Sequence, residues 1–430
     1  MNFATSHTMS LRHLRLFAIV ARLGSIRRAA ELFHLSQPAV TQAMIKLESQ
    51  VGIELLMRKS SGTYCTKAGE IFTGRIELMA KGIEDALLDF GITLNGSKNL
   101  SQIADRITRV HIRSLEAIAR GKSLADAARL LEVSQPSIHR AARDLEHYLG
   151  KNIFQQSAHG VVATRAGNEL SRRLSLALRE VDWAIEEVHA ASGQYVGSLR
   201  VGAMPMAGSI LLAHVLNEMT QLYEGLHVYI STGSSAVLTR DLHLGKIDFL
   251  FGMANPDLDP LVFKQEELIT SNYQIIAGAN HPLAGHSSIN IEDLSQYPWI
   301  MPVKGATRRE AFESLFSKMK QRPLANIETH SLATIRVLMS SSDSLTLMTK
   351  FEFDHERQVG DLVALDYYDI SPLHSLGLTT RASWKPTYIH DVFSELVRNR
   401  ALRSFDPQKG DQKSIKKLRS KSISAKSITV

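Results

Sequence analysis

The constraint that governs this chain is that it states one stretch twice. SQPAVTQAMIKLESQVG, from Ser36 to Gly52, returns as SQPSIHRAARDLEHYLG from Ser134 to Gly150, at a constant offset of 98 and without a gap. The register holds on both sides: Ala29-Ala30 meets Ala127-Ala128, and Thr66-Lys67-Ala68-Gly69 meets Thr164-Arg165-Ala166-Gly167. About a third of the positions in the block are identical. A solenoid needs at least about three repeats to bury a continuous core, so two copies mean a duplicated module.

Local chemistry says what the module is. Ile26, Ala29, Ala30 and Phe33 fall on one face of a short helix, and the alanine pair lets a second helix approach closely. Ser36 is placed to cap that second helix, with Pro38 in its first turn where backbone N–H groups have no intrahelical partner. Val40, Met44, Leu47 and Val51 make its buried stripe, which leaves Gln37, Pro38, Thr41 and Gln42 outward at the helix start. This is a helix-turn-helix that offers polar side chains from its N-terminal end, as a major-groove reader must. Gly52 closes the helix. Leu55 to Tyr64 then reads as a two-stranded wing with Arg58 and Lys59 near its tip, and Thr66 caps a long helix beginning at Lys67.

Together, AAELFHLSQPAVTQAMIKLE, LLMRKSSG and TKAG resemble the winged helix-turn-helix of LysR-type transcriptional regulators, and the resemblance runs to about residue 400. It implies a multidomain protein. Two helix-rich winged helix-turn-helix domains (10–66 and 108–164) with long linker helices (67–94 and 165–192) precede an α/β effector-binding domain similar to periplasmic binding proteins (197–404). The departure from the family is the extra reading head. The resemblance also implies double-stranded promoter DNA and a small-molecule effector as partners, a homodimer or homotetramer, a cytoplasmic location, and neither membrane nor cofactor.

Composition fits this. With 430 residues the chain holds about three domains of ordinary size. The lone cysteine, Cys65, excludes an internal disulfide or a thiolate cage and suits a reducing compartment. No export signal and no apolar run long enough to span a bilayer is visible. The net charge of +7 is unevenly placed: +6 over Ser10–Gly69, +4 over Thr108–Gly167 and +5 after residue 404, which leaves −8 elsewhere. Basic charge sits where the motif places DNA.

The second head is not a faithful copy. Arg58 becomes Gln156 and Lys46 becomes Asp144, while Thr41-Gln42 becomes His139-Arg140. Losing the wing arginine weakens a phosphate footprint, so head two is either a second reader, through Gln135, Pro136, His139 and Arg140, or a scaffold kept for dimerisation. After Lys67 the first linker helix is expected to run to about Leu94, followed by a polar break through Ser101; Met1–Met9 reads as a ragged start. In the second linker helix, Leu170, Leu174, Leu178, Val181, Ile185 and Val188 alternate in the manner of a coiled coil. Core packing within one chain is the alternative, but dimerisation is the expected use.

From Gly197 onward strands and helices alternate, which implies a parallel sheet with a ligand site beyond the strands' carboxyl ends. The first subdomain is expected at 197–266 and 357–404, rejoined at Gly360–Leu365, and the second at 267–356. By position in the family, candidate effector contacts are Met206, Ser209, Ser234, Ser235, Thr307 and Arg308. The serines serve equally well as helix caps, the methionine as packing, and Arg308 or Arg309 as a carboxylate partner or a solvated charge. After residue 404 the Lys- and Ser-rich tail is expected to be disordered, touching DNA nonspecifically or only solubilising. No HExxH, CxxC or GxxxxGK[ST] motif points to an enzyme. The competing reading is an architectural or repressor DNA binder whose C-terminal part has lost its ligand.

Overall fold

The computed structural model describes residues 8–405 apart from 61, 93–99, 122, 159, 321, 360–361, 369 and 371–373. The chain divides into two units, up to Tyr195 and from Val196.

In the first unit the module appears twice with the same parts. Helices α1 (Leu11–Leu23), α2 (Ile26–Leu32) and α3 (Gln37–Val51) lead into a hairpin of β1 (Leu56–Lys59) and β2 (Gly62–Cys65), and then into α4 (Lys67–Asp89). After a short α5 (Leu100–Arg106), the order repeats as α6 (Arg109–Arg120), α7 (Leu124–Leu131), α8 (Gln135–Leu149), β3 (Phe154–Ser157), β4 (Gly160–Ala163) and α9 (Arg165–Ala191).

The repeat extends to atomic detail. Thr66 and Thr164 cap the long helices by accepting the N–H of Gly69 and Gly167, each at 3.0 Å. A Cβ on Gly69 would lie 2.0 Å from the carbonyl oxygen of Leu55, and one on Gly167 2.2 Å from that of Ile153, so only glycine admits the hairpin against the helix. Glu48 accepts the N–H of Leu55 and Leu56, and Glu146 those of Ile153 and Phe154. His34 and Glu132, at the turns before α3 and α8, both take positive φ.

The long helices overturn one expectation. Leu170, Leu174, Leu178, Val181, Ile185 and Val188 of α9 are all buried within this one chain, in the same core as Ile76, Met79, Ile83 and Leu87 of α4. The seam assigned to a partner subunit is filled by the chain's own first linker helix. A linker helix joining two domains ordinarily has little of its own chain to lie against, but here the duplication supplies a matching helix.

The pairing is antiparallel, since Arg75 of α4 meets Glu187 of α9 while Asp89 meets Arg173. Between them Gly82 faces Ala177 so closely that an added Cβ would sit 3.1 Å from the alanine methyl. The offset of 98 turns Arg75 into Arg173 and Glu187 into Asp89, so one ion pair is the symmetry mate of the other. That is the signature of an isologous, two-fold interface built inside one chain.

The mates differ in depth. The Arg75 side chain is 1% exposed. It donates to Glu187 through Nε at 2.8 Å and Nη2 at 2.6 Å, and to Glu180 through Nη1 at 2.9 Å. Burial works against its charge, but the bonds to Glu187 and Glu180 hold its pKa above the ordinary arginine value. Arg173 and Asp89 are 35% and 56% exposed.

Three smaller readings also change. Met9, expected to be loose, is buried, and its carbonyl accepts from Arg109 Nε at 3.3 Å. The first linker helix stops at Asp89 rather than near Leu94, which itself lies outside the described residues. The expected polar break contains the start of α5, which buries Ile103 and Ala104 and gives the Ala104 carbonyl to Arg15.

The second unit runs β5 (Val196–Ala203), α10 (Ser209–Leu222), β6 (Gly225–Thr232), α11 (Ser235–His243), β7 (Phe249–Met253), β8 (Phe263–Ser271), β9 (Tyr273–Gly278), α12 (Ile291–Ser295), β10 (Ile300–Met301), α13 (Thr307–Leu315), β11 (Ile327–Glu328), α14 (Leu332–Ser341), β12 (Thr346–Thr349), α15 (Lys350–Val359), β13 (Leu362–Ala364), β14 (His374–Arg381) and α16 (Tyr388–Phe405). Strands β6, β5 and β7 are parallel, as the alternation implied, and β14 and β8 extend the sheet antiparallel in the order β6-β5-β7-β14-β8. A second sheet is ordered β12-β9-β13, and β10 pairs with β11. Leu362–Ala364 was expected to rejoin the first sheet. It pairs instead with β9 of the second, and the return comes at β14. The sequence placed the return to the first subdomain here because nothing local in Leu362–Ala364 says which sheet edge it completes. The basic tail lies outside the described residues.

The two arginine mates should be unequal under mutation. Arg75→Met leaves Glu187 and Glu180 without their guanidinium in a buried setting and is expected to cost about 3 kcal/mol. Arg173→Met, at a half-exposed pair, should cost less than about 1 kcal/mol. Urea unfolding of both variants checks this, and equal losses would contradict it.

Candidate nucleic-acid interface and effector cavity

The first-turn residues of α3 are held outward by what its other face buries. Val40, Ala43, Met44, Leu47 and Val51 are buried, and Ser36 caps the helix by accepting the Ala39 N–H at 3.4 Å. Gln37, Pro38 and Gln42 are exposed and Thr41 half-buried. In α8, Ile138, Ala141, Ala142, Leu145 and Leu149 are buried and Gln135, Pro136, His139 and Arg140 are all exposed. Ser134 departs from its counterpart: its hydroxyl meets that of Ser137 at 2.8 Å instead of capping a backbone N–H. Arg58 and Lys59 both fall on β1. Lys59 is exposed, with its ammonium 5.7 Å from the centre of the Tyr64 ring. Both α3 and α8 therefore present polar groups from a buried frame, the arrangement a groove reader needs.

In the second unit a cavity of about 290 Å³ opens beyond the carboxyl ends of β5 and β6. On one side it is lined by Met204–Ala207 and by Thr232–Ser235, the latter leading into α11. Facing them are Tyr273, the loop Pro302–Arg308 that enters α13, and Thr329-His330 after β11. Of the sequence-selected residues, Met206, Ser234, Ser235, Thr307 and Arg308 come together here. Ser209, exposed at the start of α10, does not line the cavity.

The roles inside differ from simple donors. Ser234 is the cap of α11, accepting the Val237 N–H at 3.5 Å. The cap position of α13 is Ala306, which offers no side chain, so the first turn there has no side-chain acceptor. Thr307 Oγ1 lies 3.4 Å from the Tyr273 hydroxyl, and burial pushes the pKa of that phenol up.

Arg308 is the largest revision. It is not a free carboxylate receptor: its Nη2 donates to both oxygens of Glu352 at 2.7 Å and to the Met206 carbonyl at 3.2 Å. Burial pushes the Glu352 carboxyl above the usual range against the opposing pull of Arg308. Met206 is itself held at φ 56, a strained conformation for a side-chain-bearing residue. Arg308 thus ties the loop after β5 to α13 and α15 beneath the cavity. Arg309 is likewise engaged, with Glu313 and Glu328.

No Asp or Glu is among the residues lining the cavity, whereas Lys304 and His330 line it and are exposed. Tyr273, Thr329 and His330 were missed in the sequence. Thr329-His330 follows a two-residue strand, too short to leave a periodic signal.

Comparison with known proteins agrees with this division. The family profile for the bacterial regulatory helix-turn-helix protein of the lysR family matches twice, at residues 11–70 and 110–168. The LysR substrate binding domain profile matches residues 192–401. The transcriptional regulator GalR of Pseudomonas putida is 25% identical over 374 residues, covering 87% of this chain and 92% of its own length. The dual regulator OxyR of Escherichia coli is 24% identical over 304 residues, which is 98% of its length but only 69% of this chain. A substituted full-length OxyR of Pseudomonas aeruginosa has a similar fold, with a TM-score of 0.52 at 20% identity over 68% of this chain and 93% of that one. The relatives are transcriptional regulators, and among the described residues no helix is long and apolar enough to cross a membrane. With the two profiles spanning about three quarters of its length, the chain belongs to the LysR family of transcriptional regulators.

Proposed function

We propose that this regulator docks both of its modules on promoter DNA as winged helix-turn-helix domains, and that a small anionic molecule in the cavity modulates the result. The observation that carries the DNA reading is the rigid exposure of the first turn of α3. Gln37, Thr41 and Gln42 would meet base edges while Pro38 fixes the turn, and Arg58 and Lys59 would hold the backbone or minor groove. Gln135, Pro136, His139 and Arg140 would serve the same purpose in α8. The domain limits proposed are those read from the sequence, except that the linker helices end at Asp89 and Ala191 and the chain returns to the first subdomain at β14. The basic tail would add nonspecific phosphate attraction. Such a regulator works in the cytoplasm. Assembly of more than one chain has to use surfaces other than the filled seam between α4 and α9.

The effector reading rests on the cavity's polarity. A first turn of α13 with no side-chain cap, the lining hydroxyls of Ser234, Ser235 and Thr307, the ammonium of Lys304 and the imidazole of His330 as hydrogen-bonding groups, with no lining carboxylate, favour a negatively charged guest. The volume suits a molecule of about one ring with a carboxylate. Because Arg308 bonds Met206 across the cavity floor, a guest touching the loop at Met206 would bias the spacing of the two sheets. The open cavity favours this over a regulator that has lost its ligand.

Lys59→Glu should weaken binding to every duplex alike and lower the dependence of log affinity on log salt by about one unit. By contrast, Gln37→Ala with Thr41→Ala should erase preference for the cognate site by tenfold or more, since one good base contact supplies about 1–3 kcal/mol. Fluorescence anisotropy at several salt concentrations separates the two; loss of preference from Lys59→Glu alone would contradict the assignment. For the cavity, a panel of small carboxylates and their neutral amides is scored by melting temperature. A saturating carboxylate should raise it by a few degrees and Lys304→Glu should diminish that rise. An equal response to the amide would contradict an anionic guest.

A further inference from the structure

We infer that one chain of this protein recognises two unlike half-sites arranged as an inverted repeat, so that its operator has a fixed polarity. This rests on the reading of α3 and α8 as DNA readers and specifies the DNA they read.

The geometry comes first. Arg75 with Glu187 and Arg173 with Asp89 are symmetry mates, so the two modules of one chain are related by an internal two-fold axis passing between α4 and α9. A duplex has its own local two-fold axes, and a two-fold protein placed on one reads the same strand polarity inward from both sides, which makes its target an inverted repeat. In most proteins that use this geometry the two readers come from two chains. Here both come from one, and the seam that would hold a second chain's linker helix is already packed by Leu174, Val181 and Val188.

Chemistry then makes the halves unequal. The frame has been kept: Val40, Ala43, Leu47 and Val51 correspond to Ile138, Ala141, Leu145 and Leu149, and all eight are buried. The exposed face has not. Gln37-Pro38 persists as Gln135-Pro136, but Thr41-Gln42 has become His139-Arg140, and Lys59 of the wing has become Ser157. Glutamine pairs in bidentate fashion with adenine, and arginine with guanine. The half-site under α8 should therefore carry a guanine where the half-site under α3 carries an adenine. A single chain with two different faces can lie on such a site in one direction only.

Selection of duplexes from a random pool by the purified full chain, with native mass spectrometry of the retained complexes, tests this. The expected product is a duplex with two unlike half-sites, inverted, holding one chain. His139→Ala with Arg140→Ala should relax base preference roughly tenfold or more in the guanine half only, and Thr41→Ala with Gln42→Ala should do so in the other half only. Thermal melting of both variants verifies that the frame is intact. Like half-sites, a single half-site, direct orientation, two chains per pair of half-sites, or both variants relaxing the same half would each overturn the inference. Failure to retain any duplex would overturn the DNA-binding reading itself, and this inference with it.

Discussion

A guanidinium with almost no exposure, clamped between two glutamates, sits where α4 crosses α9, and much of the first unit is arranged around it. Arg75 is carried by the first module's long helix and Glu180 and Glu187 by the second's. Taking such charges out of water is costly, and the pairing offsets that cost only in the right geometry. The apolar residues on either side supply most of the stabilisation, at about 25 cal/mol for each Å² buried. The ion pair fixes which residues face which, because a slipped or parallel arrangement would bury Arg75 without a partner.

From that register follows the placement of the two helix-turn-helix modules. The hairpins pack on the long helices through Gly69 and Gly167, where no other residue fits. Glu48 and Glu146 tie α3 and α8 to their hairpins through two backbone N–H groups apiece. Each module is thereby joined to its long helix by both backbone bonds and close packing. The OxyR relative of Escherichia coli matches over nearly its full length yet covers little more than two thirds of this chain, whereas the helix-turn-helix profile matches this chain twice. Here a second module is covalently supplied, and if both modules read DNA, as proposed, the effective concentration of the second would not depend on how much protein is present. With the heads on one chain, their faces are also free to diverge, which identical subunits cannot do.

Much of this was legible in the sequence. The repeat, the caps at Ser36 and Thr66 and the buried stripe of α3 are local features, and local features leave a local signal. What the α9 stripe packs against was not legible, because a heptad-like pattern says that a partner exists without saying whose it is. The same limit applies to Leu362–Ala364, whose sheet was not visible. In the cavity, the serines and Thr307 were found by position. The state of Arg308 was hidden, since its partner Glu352 lies 44 residues away and only the fold brings them together.

The account stands on α4 and α9 of one chain being each other's partners. In a Cys65→Ser background, Gly82→Cys and Ala177→Cys place two thiols across the seam, where an added Cβ on Gly82 lies 3.1 Å from that of Ala177, close to the separation of about 3.5–4.5 Å that a disulfide spans. Mild oxidation of dilute protein followed by non-reducing denaturing electrophoresis should give a cross-linked species of single-chain mass that migrates faster than the reduced form. A covalent two-chain product, or no cross-link at all, would contradict the internal pairing.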